Sequence, residues 1–481
     1  MSDMKKVITR FAPSPTGYIH IGNLRSAIYP YLLAKQTGGT YILRIEDTDR
    51  ARYVEGATEL IIETLKWIGI SWDEGPDVGG PNGPYYQTER VETYYEYGRR
   101  LIEAGFAYAD PRTSEEIDKF RQEAVKNKQA FLIRNFRPEK EVEWEVGMPL
   151  RFKQKHLKPV SWDDAVYGKM SAGPEVLDDF ILIKKDGLPT YNFGHIVDDA
   201  EMKVTHVVRG QEYLSSMPNY LTLYDALGME RPVFVHLPHI LGSSGTKKLG
   251  KRDGAKSASD YGKDGILPEA MLNFLAGLGW NDGTEQEIYS MNELIEKFSA
   301  DRIQRSGARF DEKKLLWVNG QWIRRLSLDE LYERCEEFWP EVADGANEDC
   351  KRAVLGLVQD RLKVLGDLRT MVDYFFVEPE VKLEMVLEDK RLKDYGREKL
   401  SKMLGSAKAK LEVCEFDRES LQVTLNELLE ELGEKPANLF SLIRVSLSWA
   451  PFSPALNEMM EVLGREKVLA RIERAIEALA E

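Results

Sequence analysis

Two stretches of this chain carry chemistry that an ordinary core or surface segment does not need. The first is Pro13-Ser14-Pro15-Thr16-Gly17-Tyr18-Ile19-His20-Ile21-Gly22-Asn23. Its prolines turn the backbone out of an apolar run, and Gly17 and Gly22 let a ligand's backbone or ring come close. A helix beginning there aims its unpaired N–H groups at whatever fills the turn, which suits phosphate. His20 can donate to a phosphoryl oxygen, and Asn23 can donate or accept; the competing reading makes His20 a helix cap and Gly22 a packing residue. The second stretch spans 242–254, where Gly242, Gly245, Gly250 and Gly254 punctuate Lys247, Lys248, Lys251 and Arg252. Glycine freedom combined with lysine reach predicts a mobile loop that brings Lys248 and Lys251 to phosphate oxygens, against the alternative of a solubilising surface loop. The first stretch is neither G-x-G-x-x-G nor G-x-x-x-x-G-K-[ST], which argues against dinucleotide oxidoreduction and ordinary P-loop hydrolysis.

The elements that must hold these residues follow from hydrophobic pattern. Residues 7–11 read as a short buried strand stopped by Pro13, Pro15 and Gly17. A helix then runs from about His20 to a cap at Gly38-Gly39, with Pro30 inside it; that proline would leave the Ser26 carbonyl without its usual partner and force a kink. Residues 40–45 supply a second strand, leading into Glu46-Asp47-Thr48-Asp49-Arg50, and Leu60, Ile61, Thr64, Leu65 and Ile68 share one helical face. Strand, glycine-containing loop, helix and strand is the order of a doubly wound parallel sheet, in which Glu46 falls at a strand's carboxyl end, where such sheets hold ligands. The order resumes with a strand at 204–208, a mostly helical stretch at 213–227 and a strand at 233–240. Between these halves, about 82–190, lie a helix seamed by Val91, Tyr94, Tyr95, Gly98, Leu101 and Ile102 and mixed strands such as 180–184, which together read as a domain inserted into a split nucleotide fold. Beyond Phe310 the pattern is helical almost throughout, as at 421–432, 437–448 and 465–480.

Composition bounds the rest. The chain has 481 residues, 66 Lys+Arg against 80 Asp+Glu for a net charge of −14, 43% hydrophobic residues and 3 Cys. These values exclude a disulfide-stapled module, a disordered chain and an indiscriminate electrostatic wrapper of nucleic acid, and the length predicts roughly two to four domains. Local basic runs remain; 112–158 holds 12 basic and 8 acidic residues. Cys335, Cys350 and Cys414 match no thiolate metal or redox spacing. Arg10 interrupts the opening apolar run, and no stretch approaches the ~20 apolar residues that span a bilayer, so a soluble, cytoplasmic protein is expected.

Arg10-Phe11-Ala12-Pro13-Ser14-Pro15-Thr16-Gly17 with His20-Ile21-Gly22-Asn23 closely resembles the ATP-site motif of the class I glutamyl-tRNA synthetases, with Asn23 where a terminal His is usual. Arg44-Ile45-Glu46-Asp47-Thr48-Asp49-Arg50 is similar to the second segment of that family, and the likeness continues through 189–199 and 205–216. Lys248-Leu249-Gly250-Lys251-Arg252 resembles the second motif of the class, usually Lys-Met-Ser-Lys-Arg; Leu249 and Gly250 replace Met and Ser, so loop geometry would lean more on backbone groups. The likeness stays strong through 270–281, and more diffuse likenesses follow at 310–317, 442–445 and 463–468.

The resemblance implies an α/β fold: a class I synthetase Rossmann-like parallel sheet (1–81 and 191–241) split by an inserted α/β domain at 82–190 that binds the tRNA acceptor end. A lysine loop with a connecting stem-contact domain (242–309) and an all-helical carboxyl-terminal anticodon-binding region (310–481) follow. It implies ligation of L-glutamate to tRNA(Glu) at the expense of ATP, through a glutamyl-adenylate, in protein biosynthesis. Arg10, Ser14, Glu46, Tyr191, His195 and Arg209 would bind glutamate, since guanidinium groups suit carboxylates and Glu46 suits the ammonium group. His20, Gly22, Asn23, Lys248, Lys251 and Arg252 would bind ATP, with Lys251, Lys248 and His20 acting on the reacting phosphates. Mg²⁺ would travel with ATP, with no fixed protein ligands assigned. Some relatives carry a Cys-rich zinc site early in the insert; Ala107-Tyr108-Ala109-Asp110-Pro111 has no cysteine, so no structural zinc is expected. Arg112, Arg134, Arg137, Arg151, Lys153 and Lys155 are candidate contacts to the RNA backbone. A monomer is expected, with tRNA(Gln) left open as a second substrate. A glutaminyl-tRNA synthetase and a catalytically inactive tRNA-binding module are the alternatives, the first disfavoured by the Pro13-Ser14-Pro15 motif and the helical tail.

Overall fold

The computed structural model describes residues 6–17, 19, 21–242, 245, 247–249, 256–450 and 453–481. The chain divides into two compact units, one of Met1–Tyr261 with Pro268–Leu315 and one of Gly262–Leu267 with Leu316–Glu481. In the first, β1 (Ile8–Phe11) and β2 (Thr40–Leu43) pair in parallel with Ile8 opposite Thr40, and α1 (Ile21–Gln36) connects them. Helix α1 runs through Pro30, and Thr9 Oγ1 donates to the Pro30 carbonyl at 2.7 Å, tying helix to strand. The helix stops at Gly38, with φ of 60°, and Gly39, where an added Cβ would lie 1.9 Å from the Val7 carbonyl oxygen. Helix α2 (Ala57–Trp67) buries Ile61, Thr64 and Leu65, the face anticipated from spacing.

The 82–190 segment contributes α3 (Val91–Glu103), β3 (Ala107–Ala109), α4 (Ser114–Lys126), β4 (Leu150–Phe152), β5 (Val160–Asp164), β6 (Gly168–Ala172) and β7 (Ile181–Ile183). Helix α5 (Tyr191–Glu201), β8 (His206–Gly210), α6 (Met217–Leu227) and β9 (Val233–Leu237) then restore the parallel order, β8 pairing with β9. The Thr205 N–H donates to the Ile8 carbonyl and Thr205 Oγ1 accepts from the Ile8 N–H, both at 2.9 Å, which sets the start of β8 beside β1. The hairpin β5–β6 joins this sheet rather than standing apart: Asp164 pairs in parallel with Phe234 of β9. Sequence pattern separates an insert at 82–190, yet Tyr94, Leu150, Trp162 and Ile183 share one hydrophobic core with Ile42, Phe193, Val207 and Phe234. The division into compact units draws no boundary there, because the apolar faces on both sides bury one another.

Among its described residues the second unit is built of helices without strands, including Arg397–Val413, Arg418–Leu432, Pro436–Ser448 and Arg465–Ala480. Each buries a regularly spaced apolar set, such as Leu421, Leu425 and Leu428. Arg471, 1% exposed, is held inside this unit by the Leu447 carbonyl at 2.8 Å and by Glu378 at 3.1 Å. Among the described residues no helix is long and apolar enough to cross a membrane.

Candidate active site

The carboxyl ends of β1, β8 and β9 and the segment after β2 surround a cavity of about 470 Å³, the position where an open α/β sheet receives ligands. Arg10, Ser14, Gly22, Asn23, Glu46, Tyr191, Arg209 and Lys248 all line it, although they come from five separate stretches of chain. His20, Lys251 and Arg252 lie outside the described residues. His195 is not on the wall. It stands behind it, 2% exposed, with Nδ1 at 2.6 Å from the Tyr191 carbonyl and Nε2 at 3.1 Å from Arg209 Nη1. A guanidinium only donates, so Nε2 accepts and Nδ1 carries the hydrogen. The sequence suggests a histidine nitrogen offered to glutamate; packing instead engages both nitrogens internally, and the ring meets the cavity through the wall residues Arg209 and Tyr191, on whose ring it stacks at 4.6 Å.

Helix geometry explains part of this arrangement. Tyr191, His195, Asp198 and Asp199 recur at the spacing of one face of α5, and the last three are buried. Against them lies a charge network. Asp199 Oδ1 takes Arg10 Nε at 2.9 Å and Arg44 Nη1 at 2.8 Å; Arg44 Nη2 reaches Glu46 Oε1 at 3.0 Å. Asp198 accepts from Arg90 Nε at 2.7 Å, Gln87 Nε2 at 2.8 Å and the Tyr94 hydroxyl at 2.9 Å. Burial alone would push the Asp199 carboxyl up, but Arg10 and Arg44 hold it far below the usual carboxylate range. For Glu46 burial wins over Arg44 and Arg10, and its carboxyl is raised.

Arg209 is different. It is 5% exposed, its guanidinium lies 5.0 Å from the ring centroids of both Tyr213 and Tyr220, and its contacts are neutral: His236 Nε2, His195 Nε2 and Met217 Sδ. Among the described residues no carboxylate forms an ion pair with it. A buried cation without a counter-ion is costly, and the cavity is where an anionic group can meet it. At the rim, Lys248 Nζ pairs with Glu212 Oε1 at 3.2 Å; Lys248 is held next to β10 (Ile240–Leu241) by the Leu249 N–H to Ile240 carbonyl bond at 2.8 Å.

Several residues that build the site escape motif reasoning. Arg44 has a readable signal, since it lies two residues before Glu46 and so on the same side of an extended segment. Asp198 and Asp199 are signalled by their α5 spacing. Arg25, which lines the cavity from the first turns of α1, donates to the Leu278 carbonyl at 2.9 Å, and no local pattern indicates that partner. Each candidate RNA-contacting residue of the insert has a partner within the protein, the arginines more closely than Lys153. Arg112 and Arg151 both pair with Asp110, Arg137 pairs with Asp179 at 2.7 Å, Arg134 donates to the Pro174 carbonyl at 3.2 Å and Lys155 to the Ala104 carbonyl at 2.8 Å. Lys153 makes only a loose 3.6 Å pair with exposed Glu141. Arginines drawn this far into the fold need counter-ions of their own.

Burial first, and Arg209 second, keep the His195 ring well below its ordinary value of 6.5. A histidine with a lowered folded pKa contributes stability that is complete above about 6.5 and is lost as pH falls toward the folded value, because the unfolded chain takes the proton first. His195→Asn should therefore flatten the loss of stability between about pH 7.5 and 5.5, as read by urea unfolding. An unchanged slope would show that His195 is not held neutral.

Comparison with known proteins supplies an independent line. Residues 6–317 match the family model described as tRNA synthetases class I (E and Q), catalytic domain, and residues 330–476 match the anticodon binding domain. A glutamate–tRNA ligase of Clostridium botulinum is 43% identical over 98% of this chain and 99% of its own length; one from Clostridium novyi is 42% identical over 99% of both. The crystal structure of a glutamate tRNA ligase from Elizabethkingia meningosepticum, in complex with its amino acid, superposes with a TM-score of 0.88 at 34% identity, covering 99% of this chain and all of that one. The glutamate-tRNA synthetase of Elizabethkingia anophelis gives 0.87 at 34% identity, over 98% of this chain and all of that one.

Proposed function

Because the chain belongs to the class I glutamate–tRNA ligases, we propose that the cavity at the ends of its parallel strands seats glutamate against ATP, and that the residues on its wall divide the work between them. The reaction is ATP-dependent ligation of glutamate to tRNA(Glu) through an adenylate. A glutamate carboxylate oxygen attacks the α-phosphorus of ATP; the new O–P bond forms as the bond to pyrophosphate breaks. The terminal ribose hydroxyl of tRNA then attacks the activated carbonyl, loses its proton, and AMP departs. A carboxylate with an ordinary pKa of about 4 needs no base at neutral pH, so placement and charge stabilisation are what the protein must supply.

One observation carries the assignment: the buried Arg209 guanidinium has no carboxylate partner among the described residues and shares a cavity with the Glu46 carboxylate. A cation and an anion across a small space complement an amino acid's carboxylate and ammonium groups. Arg10, its charge balanced by Asp199, is assigned to a carboxylate as a hydrogen-bond donor, with Ser14 and Tyr191 completing the pocket; His195 is assigned a place behind Arg209. Gly22, Asn23 and Lys248 are assigned to ATP, joined on the strength of the motif resemblance by His20, Lys251 and Arg252. Mg²⁺ is assigned to the phosphates of ATP rather than to a protein ligand set, and Asp110, at the segment where some relatives carry zinc, is taken as an ion-pair acceptor for Arg112 and Arg151. The 82–190 segment is assigned to the acceptor end and the helical region after 310 to the anticodon. A monomer charging tRNA(Glu) is the working state; aminoacylation of purified tRNA(Gln) decides the second substrate.

Glutamate-dependent ATP–pyrophosphate exchange, run with and without tRNA, tests the reading. Exchange with glutamine instead would indicate the glutaminyl enzyme, and tRNA binding without exchange or aminoacylation an inactive module. Lys251→Ala should reduce exchange about 10²–10³-fold while tRNA affinity changes little, the usual scale for removing one preorganised charge at a transition state. Equal losses in binding and none in the chemical step would refute the role of Lys251.

A further inference from the structure

Arg209 has five N–H groups, and three have fixed acceptors: Nε on His236 Nε2 at 3.1 Å, one Nη1 hydrogen on His195 Nε2 at 3.1 Å and one Nη2 hydrogen on Met217 Sδ at 3.0 Å. Two have no acceptor among the described residues, one on each terminal nitrogen. The bond from Nε requires that His236 present a lone pair, which it does only as the neutral tautomer with hydrogen on Nδ1. That tautomer is selected from the far side. His236 Nδ1 lies 2.6 Å from Asp164 Oδ2, and both side chains are fully buried. The other Asp164 oxygen accepts from the Val166 and Tyr167 N–H groups at 3.0 and 2.9 Å, in the turn between β5 and β6. The carboxylate is thereby anchored to backbone and cannot rotate away. Were the hydrogen on Nε2 instead, two donors would face each other across 3.1 Å.

We propose that His236 and Asp164 are positioning residues for glutamate binding, a buried acceptor relay from the β5–β6 turn that holds the Arg209 fork with its two free N–H groups toward the cavity. The proposal rests on the reading of Arg209 as a carboxylate ligand. Neither residue touches the substrate; each acts through the next, as an orienting carboxylate acts through an imidazole. The hairpin that supplies Asp164 comes from the 82–190 segment, and β9 supplies His236, so the orientation of a residue on β8 is set by two neighbouring strands of the same sheet.

The test is aminoacylation of tRNA(Glu) at varied glutamate by the full-length enzyme. His236→Leu, similar in volume but without an acceptor, should raise KM for glutamate about 10–100-fold, the span of one hydrogen bond to a charged group, with kcat within about 3-fold. His236→Gln, which can accept from Arg209 and donate to Asp164 at once, should recover KM to within about 3-fold of the parent. Asp164→Asn removes the tautomer control at constant volume and should raise KM about 5-fold or more; it supplies the answer if His236→Leu does not fold. A purely structural pair would lower the melting temperature without splitting KM from kcat and without rescue by Gln. KM unchanged in both His236→Leu and Asp164→Asn, beside a large rise in Arg209→Ala, overturns the relay and leaves the reading of Arg209 standing. No rise in Arg209→Ala overturns that reading instead.

Discussion

Arg209→Ala should lower kcat/KM for glutamate about 10³-fold, roughly 4 kcal/mol, the scale for truncating one partner of a buried, hydrogen-bonded charge pair. The size follows from the surroundings of the side chain. The guanidinium is 5% exposed, flanked by Tyr213 and Tyr220, and bonded among the described residues to neutral acceptors, so on the proposed reading a bound carboxylate would serve as its counter-ion, for which water is a poor substitute. Removing it leaves the ligand's carboxylate facing the imidazole nitrogens of His195 and His236, which in their present tautomers offer lone pairs rather than hydrogens. Arg209→Lys keeps the charge but loses the fork and the Nε donor, and it should recover only part of the loss. Steady-state aminoacylation at varied glutamate reads both variants, and a kcat/KM for Arg209→Ala within 10-fold of the parent would exclude Arg209 from the pocket.

Asp199→Ala should destabilise the first unit by roughly 3–5 kcal/mol, the usual cost of leaving buried charge uncompensated. A single oxygen, Oδ1, accepts from both Arg10 and Arg44, whose side chains are 4% and 0% exposed. Without it Arg10 keeps, among the described residues, the Val208 carbonyl at 3.3 Å, while Arg44 retains Glu46 and a 3.7 Å approach to Asp198. Two cations would then face each other with less negative charge between them. The depressed pKa of Asp199 fixes the sign of the pH dependence: its contribution is complete above its ordinary value of 3.8 and is lost as pH falls below it. Urea unfolding near neutral pH reads the loss, and a midpoint unchanged from the parent would show the network to be dispensable. Because Arg10 lines the cavity and Arg44 holds Glu46, KM for glutamate should rise in the same variant even where it remains folded.

How far the sequence reaches is visible in individual residues. Periodicity places α1, α2 and the helices of the second unit, and the burial of Ile61, Thr64 and Leu65 on α2 follows from spacing alone. Motif chemistry picks out Arg10, Ser14, Glu46, Tyr191, Arg209 and Lys248, all of which line one cavity. These properties are local: side-chain type sets what a group can bind, and the repeat of helix or strand sets which way it faces.

What each group binds within the protein is decided elsewhere. Asp199 meets Arg10 across 189 residues, His236 meets Asp164 across 72, and Arg25 meets Leu278 across 253. The sequence makes His195 a plausible hydrogen-bonding neighbour of glutamate; folding gives both its nitrogens to Tyr191 and Arg209. It makes Arg112, Arg137 and Arg151 look available to RNA; folding supplies Asp110 and Asp179 as their partners. The amino-acid sequence by itself therefore determined the chemistry on offer and the faces that carry it. Tertiary structure alone decided which buried charges neutralise one another and which, like Arg209, have no carboxylate partner among the described residues, because that depends on which faces meet, and dehydration makes an unmet buried charge costly.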